Sequence, residues 1–180
     1  MKVSFLMIAR VLYDKGYKEY VDAARIILKR HPNTEFVLLG DIDENYPNHV
    51  PRVIVHRDVA DGVINYQGYI SDVRPLIQRC DCIIHPTFYN EGLSRVLMEA
   101  LAMSKIVITT DIPGCRETVE HLKNGFLIAP KNVDALVGAI EQFLNLSAEE
   151  RTQMQQHSRM MAERDFDIEN VIKQYRRITG

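Results

Sequence analysis

Two apolar rhythms alternate along this chain: short near-continuous runs, and longer stretches that repeat every three to four positions. The runs fall at 3–9, 35–40, 63–66, 81–85, 106–109 and 125–128. Each predicts a strand covered on both faces, because a strand with one wet face would alternate instead. Helical spacing fills the intervals. Over 17–30, Tyr20, Val21, Ala24, Ile27 and Leu28 share one face, and His31-Pro32-Asn33 stops the helix. Further helices are predicted over 71–79, with Ser71 or Asp72 as cap, over 93–103, and briefly over 115–121. Another spans 134–144, where Leu136, Val137, Ile140, Phe143 and Leu144 form a stripe. Ser147-Ala148-Glu149-Glu150 is a capping box opening the next, and a helix over 168–178 closes the chain. Residues 41–61, with Pro47 and Pro51, read as a polar loop.

Strands alternating with helices predict an α/β fold, a Rossmann-like doubly wound parallel sheet of six strands. One domain is expected over 1–180, with 147–180 as its helical carboxy-terminal segment. Such sheets take ligands beyond the carboxyl ends of their strands, where the winding reverses. Chemistry is therefore expected in loops 9–18, 40–46, 66–72, 86–94 and 110–116.

Composition removes several classes. With 22 basic against 24 acidic side chains, a net charge of -2 lacks the basic excess of a nucleic-acid binder. No apolar run reaches the roughly 20 residues that cross a bilayer. The run after Met1-Lys2 stops at Arg10 without a small-residue cleavage site, so it reads as a strand and the protein as soluble and cytoplasmic. Three cysteines give no disulfide framework, and Cys80 and Cys82, one residue apart, do not match zinc ligands. They read as buried thiols. The six histidines show no metal spacing, so no metal is expected; His85 reads as structural, and Met154, Met160 and Met161 as packing.

Two loops carry charge where a ligand would sit. The first, Ala9-Arg10-Val11-Leu12-Tyr13-Asp14-Lys15-Gly16, has neither the dinucleotide-binding glycine turn nor the end of a P-loop. Its Arg10 and Lys15, a guanidinium fork and a point charge, suit a diphosphate. The second runs from His85 to Ala100. Gly92 allows close backbone approach, and the amides of about Leu93 to Arg95 become free donors of a helix N-terminus. Glu91 and Glu99, eight positions apart, can each accept two hydroxyl hydrogen bonds, which suits a sugar and a ribose.

Arg10, Lys15-Gly16, Gly40, Gly68, Asp81, Pro86, Glu91-Gly92, Glu99-Ala100, Pro113-Gly114, Glu117 and Asn124-Gly125 stand in the order seen in family 4 retaining glycosyltransferases. Over roughly residues 3–145 the chain resembles the carboxy-terminal, nucleotide-sugar-binding half of that two-domain GT-B architecture. It is similar in detail to bacterial enzymes building capsular or lipid-linked glycans. The resemblance implies that Arg10 and Lys15 hold the donor diphosphate and stabilise it as it departs, without a metal ion. Glu91, with the amides of Gly92, Leu93 and Ser94, would hold the donor sugar, Glu99 the ribose, and Gly68, Tyr69 and Ile70 the base. It implies a hexose-type UDP-sugar donor, a glycan or lipid-linked acceptor, retention by front-face attack, and a full-length enzyme at the inner face of the membrane. It also implies that an acceptor-binding amino-terminal half is missing, so that these 180 residues alone transfer weakly or not at all. The family often has glycine where this chain has Ser104, a change expected to cost stability at a helix end. A non-catalytic nucleotide-sugar sensor is the alternative; an epimerase would carry further catalytic acids and histidines, and no convincing set is seen.

Overall fold

The structure, a computed structural model, describes residues 2–90, 92–169, 172 and 176. At its centre lies one parallel sheet of β1 (Val3–Ile8), β2 (Thr34–Leu39), β3 (Asn65–Tyr66), β4 (Cys82–His85), β5 (Ile106–Thr110) and β6 (Gly125–Ile128). Their spatial order is β3-β2-β1-β4-β5-β6, the doubly wound arrangement expected. The helices are α1 (Tyr17–Arg30), α2 (Arg52–Ala60), α3 (Arg74–Arg79), α4 (Arg95–Ala102), α5 (Val133–Asn145) and α6 (Ala148–Asp165). Single 3-10 turns lie at Tyr13–Lys15 and Arg116–Thr118.

The pleat divides the core in two. In β1, Phe5 and Met7 join Tyr20 and Ile27 of α1 and Ile140 and Phe143 of α5. Leu6 and Ile8 join Leu97 and Leu101 of α4 and Met161 of α6 on the other face. Both faces are dry, which is why the strands read as unbroken apolar runs. The capping box at α6 is complete: the Glu150 amide donates to Ser147 Oγ and the Ser147 amide to the Glu150 carboxylate. Glu120 accepts from Arg164 and pairs with Lys123 and His157, and these partners hold its carboxyl down at about 2.

Four expectations need correction. Residues 41–61 are not all loop, because α2 occupies 52–60. Pro51 stands at its N-cap, and only Val55 and Asp58 are buried, so no apolar stripe announces it. The helix is held by polar ties instead: the Tyr17 hydroxyl donates to Asp58 at 2.7 Å, and Arg25 donates to it at 2.6 Å. The strand expected over 63–66 pairs only at Asn65–Tyr66, while Val63 and Ile64 are buried without ladder partners. At α3 neither Ser71 nor Asp72 is the cap; Val73 is, and Asp72 accepts from the Arg74 amide and guanidinium, at 3.1 and 2.8 Å. The helix expected over 115–121 is the turn Arg116–Thr118.

Met154 and Met161 pack in the core as expected, whereas Met160 is 58% exposed. All three cysteines are buried, and burial pushes the Cys80 thiol up to about 12. The helix expected over 168–178 falls largely outside the described residues. Among those described, no helix is long and apolar enough to cross a membrane.

Helix α4 ends in a full Schellman motif. The Lys105 amide donates to Ala100 O and the Ser104 amide to Leu101 O, both at 2.9 Å, with Ser104 left-handed at φ 57°. Glycine pays no steric penalty there, so Ser104→Gly is expected to raise stability by about 0.5–1 kcal/mol. Thermal melts of the two proteins check this; an unchanged or lower Tm refutes it.

Candidate functional site

Strands β1 and β4 are neighbours, and the order of winding reverses between them. The loops that follow them meet at the resulting crevice. Gly16, at φ +85°, lies so close to the second loop that an added Cβ would stand 2.2 Å from the Pro86 carbonyl oxygen. The Phe88 amide and the Thr87 hydroxyl donate to the Asp14 carbonyl at 3.0 and 3.2 Å. From behind, the 41–50 loop supports the first: Val11 donates to Asp41 O, Tyr13 to Asn48 O, and Val50 to Val11 O. The two charged loops are thereby fixed to each other before any ligand arrives.

Between them opens a cleft of ≈ 700 Å³. On one wall stand two cations, each seated on an aromatic ring. Lys15 Nζ lies 4.4 Å from the centre of the Tyr89 ring, and the exposed Arg10 guanidinium 4.3 Å from that of Tyr46. Lys15 is only 8% exposed, so its charge acts where water screens it little.

The facing wall is the start of α4. Ser94 is its N-cap, yet the Ser94 side chain accepts no capping hydrogen bond. Among the described residues the Arg95 and Val96 amides have no carbonyl partner, so the helix end keeps its positive character. One turn further, Glu99 lines the cleft with its side chain 43% exposed, 3.7 Å from Arg95 in an exposed pair that contributes little. Glu99 also borders a second hollow of ≈ 440 Å³, shared with Ser71, Asp72, Arg74 and Ile77 of the α3 start.

The predicted residues largely converge. Arg10, Lys15, Tyr69, Gly92, Leu93, Ser94 and Glu99 all line the one cleft. Glu91 lies outside the described residues. The other two residues expected at the base stand beside the cleft: Gly68 gives its carbonyl to the Gly40 amide at 2.9 Å, and Ile70 packs on the α4 side of the core. Neither lines the cleft, and of that trio only Tyr69, 75% exposed, does. The Ser94 amide is also not a free donor, since it is spent on the Gly114 carbonyl at 3.0 Å. Tyr46, Tyr89 and the side chain of Arg95 are not among the residues the sequence singles out. Their signal was aromatic or basic residues in loops at strand ends, too common to single out. His85 is buried in the cleft wall rather than merely in the core. Among the described residues no three His, Cys, Asp or Glu side chains group closely enough to hold a metal ion.

Residues 1–161 match the family described as "Glycosyl transferases group 1". A Campylobacter jejuni N,N'-diacetylbacillosaminyl-diphospho-undecaprenol alpha-1,3-N-acetylgalactosaminyltransferase is 33% identical over 139 residues, 77% of this chain and 35% of the relative. A glycosyltransferase from Rickettsia africae superposes with a TM-score of 0.86 at 26% identity, covering 98% of this chain and 47% of that one. Anabaena HepE, solved with UDP, gives 0.88 at 22% identity, 99% and 48%. The chain thus spans less than half the length of each of these relatives.

Proposed function

The chain belongs to the glycosyl transferases group 1 family, and on that premise we propose that its cleft binds a nucleoside diphosphate sugar as donor. The observation that carries this reading is one cleft bounded by Arg10 and Lys15 on one wall and by a helix end and Glu99 on the other. A diphosphate needs concentrated positive charge, and a ribose or hexose needs acceptors for its hydroxyls. The UDP held by HepE and the diphospho-undecaprenol acceptor in the name of the Campylobacter relative support a UDP-sugar and a lipid-linked or glycan acceptor.

In this reading the diphosphate rests between Lys15, Arg10 and the first amides of α4, and Glu99 takes the ribose hydroxyls. Glu91 holds the sugar. As the bond from the sugar to phosphate breaks, negative charge grows on the diphosphate, and fixed cations and amides meet it without reorganising. The charge comes from Arg10 and Lys15 rather than from a metal ion. The acceptor attacks on the face the leaving phosphate vacates, which retains the anomeric configuration. Because the chain covers 35%, 47% and 48% of the three relatives, donor binding is the part of the reaction proposed for these 180 residues, and transfer to an acceptor is proposed of the whole protein.

A thermal-shift panel of nucleoside diphosphate sugars tests this. A ligand at a hundred times its Kd stabilises by about 2.7 kcal/mol, which raises Tm by roughly 5–10 °C in a chain of this size. No shift with any UDP-, ADP- or GDP-sugar overturns the reading. Equal shifts from UDP and its sugar conjugates favour the sensor alternative.

A further inference from the structure

The first turn of α4 carries an oddity. Serine at an N-cap ordinarily turns its hydroxyl onto the amide two or three positions ahead, here Val96 or Leu97, and stabilises the helix. At α4 it does not. Ser94 is 2% exposed, and its Oγ lies instead 3.4 Å from Nε2 of His85, itself 3% exposed at the end of β4. The histidine backbone is fixed in turn, since Thr109 Oγ1 donates to the His85 carbonyl at 2.7 Å. Elsewhere in the same chain, Ser147 and Asn132 do cap their helices by the usual side-chain bond. The difference at α4 is the buried imidazole.

From this geometry we infer that His85 is a positioning residue, which draws the Ser94 hydroxyl away from its own helix and so keeps the α4 amides open for the donor. Turned onto its helix, the hydroxyl would compete for those amides with any incoming oxygen. A helix end satisfied by its own cap has fewer donors left for phosphate or sugar. The Ser94 amide is already spent on Gly114, so the rotamer of one side chain governs how many donors α4 offers. The cost is a forgone cap at a helix whose second role is to bind. This rests on the donor reading for its ligand, though not for the rotamer itself.

The test uses the whole chain with two readouts, amide hydrogen exchange without ligand and calorimetry with UDP. His85→Leu keeps the volume and removes the partner, so Ser94 is expected to swing onto its helix. Exchange at Val96 or Leu97 then slows about tenfold, and UDP binds about ten- to a hundredfold more weakly, as one charge-assisted bond predicts. Adding Ser94→Ala to His85→Leu removes the intruding hydroxyl, and both exchange and affinity return most of the way to the parent values. A general packing role for His85 would instead make the double variant worse. Unchanged exchange in His85→Leu, or no recovery in the double variant, overturns the inference. If His85→Leu fails to fold, His85→Asn, polar but too short to reach Ser94, carries the same expectations. If exchange behaves as described while the parent chain binds no UDP or UDP-sugar, the rotamer device stands and the donor reading falls.

Discussion

Lys15→Ala is expected to weaken UDP-sugar binding by about 50-fold or more, the largest loss from any single side chain of the cleft. A hydrogen bond to a charged group contributes roughly 1.5–3 kcal/mol, and each 1.4 kcal/mol is tenfold in affinity. Burial places Lys15 at the upper end of that range, because at 8% exposure its field is weakly screened. Arg10 is exposed, so Arg10→Ala is expected to cost only about fivefold at physiological salt, a cost that shrinks as salt rises. The lysine change also gives up the contact over Tyr89, which at a desolvated site contributes about 2 kcal/mol to stability. Calorimetry with UDP at fixed salt, paired with thermal melts, separates binding from stability. Lys15→Ala binding within threefold of the parent would remove this lysine from the diphosphate site.

Gly16→Ala acts on the frame rather than the chemistry. At φ +85° any L side chain is strained by about 1–2 kcal/mol. The new methyl would also stand 2.2 Å from the Pro86 carbonyl oxygen, a backbone atom that cannot turn aside. The expected loss is about 3–5 kcal/mol, which places it among the most damaging single changes. A fall of roughly 6–20 °C in Tm follows for a domain of this size. UDP affinity should fall too, even well below the melting range, since moving Pro86 separates the walls that Gly16 holds together. Gly92→Ala is the contrast: its Cβ would meet no atom within 4 Å, so the melt should barely move while a methyl enters the cleft. Equal Tm values for the parent and Gly16→Ala would show that this contact fixes nothing.

Most of the fold was legible because burial on two faces writes itself plainly. Val3 to Ile8 sit between two dry layers and can hardly be anything but a central strand. Helix α2 escaped for the opposite reason: Val53 and Val59 face solvent, and its anchor, Asp58, bonds Tyr17 across 41 residues. The two cations were legible from charge in a strand-end loop, and Glu99, within α4, from its spacing from Glu91. The rings beneath Arg10 and Lys15 were not, since Tyr46 lies 36 positions from Arg10 and Tyr89 lies 74 from Lys15, distances no local pattern spans. Nor could the spacing around Ser94 show that its amide serves Gly114, because that bond depends on how the 110–116 loop folds back.

The weld between Gly16 and Pro86 bears on the order in which the molecule assembles. Its two sides come from segments 70 residues apart, and neither can hold the other until β1 and β4 lie together at the middle of the sheet. Contacts of such long sequence separation form late, after loop-closure entropy has been overcome. The cleft is therefore expected to be a latecomer, absent from any half-made sheet, and a nucleotide found to bind it would report that the centre of the chain has finished folding.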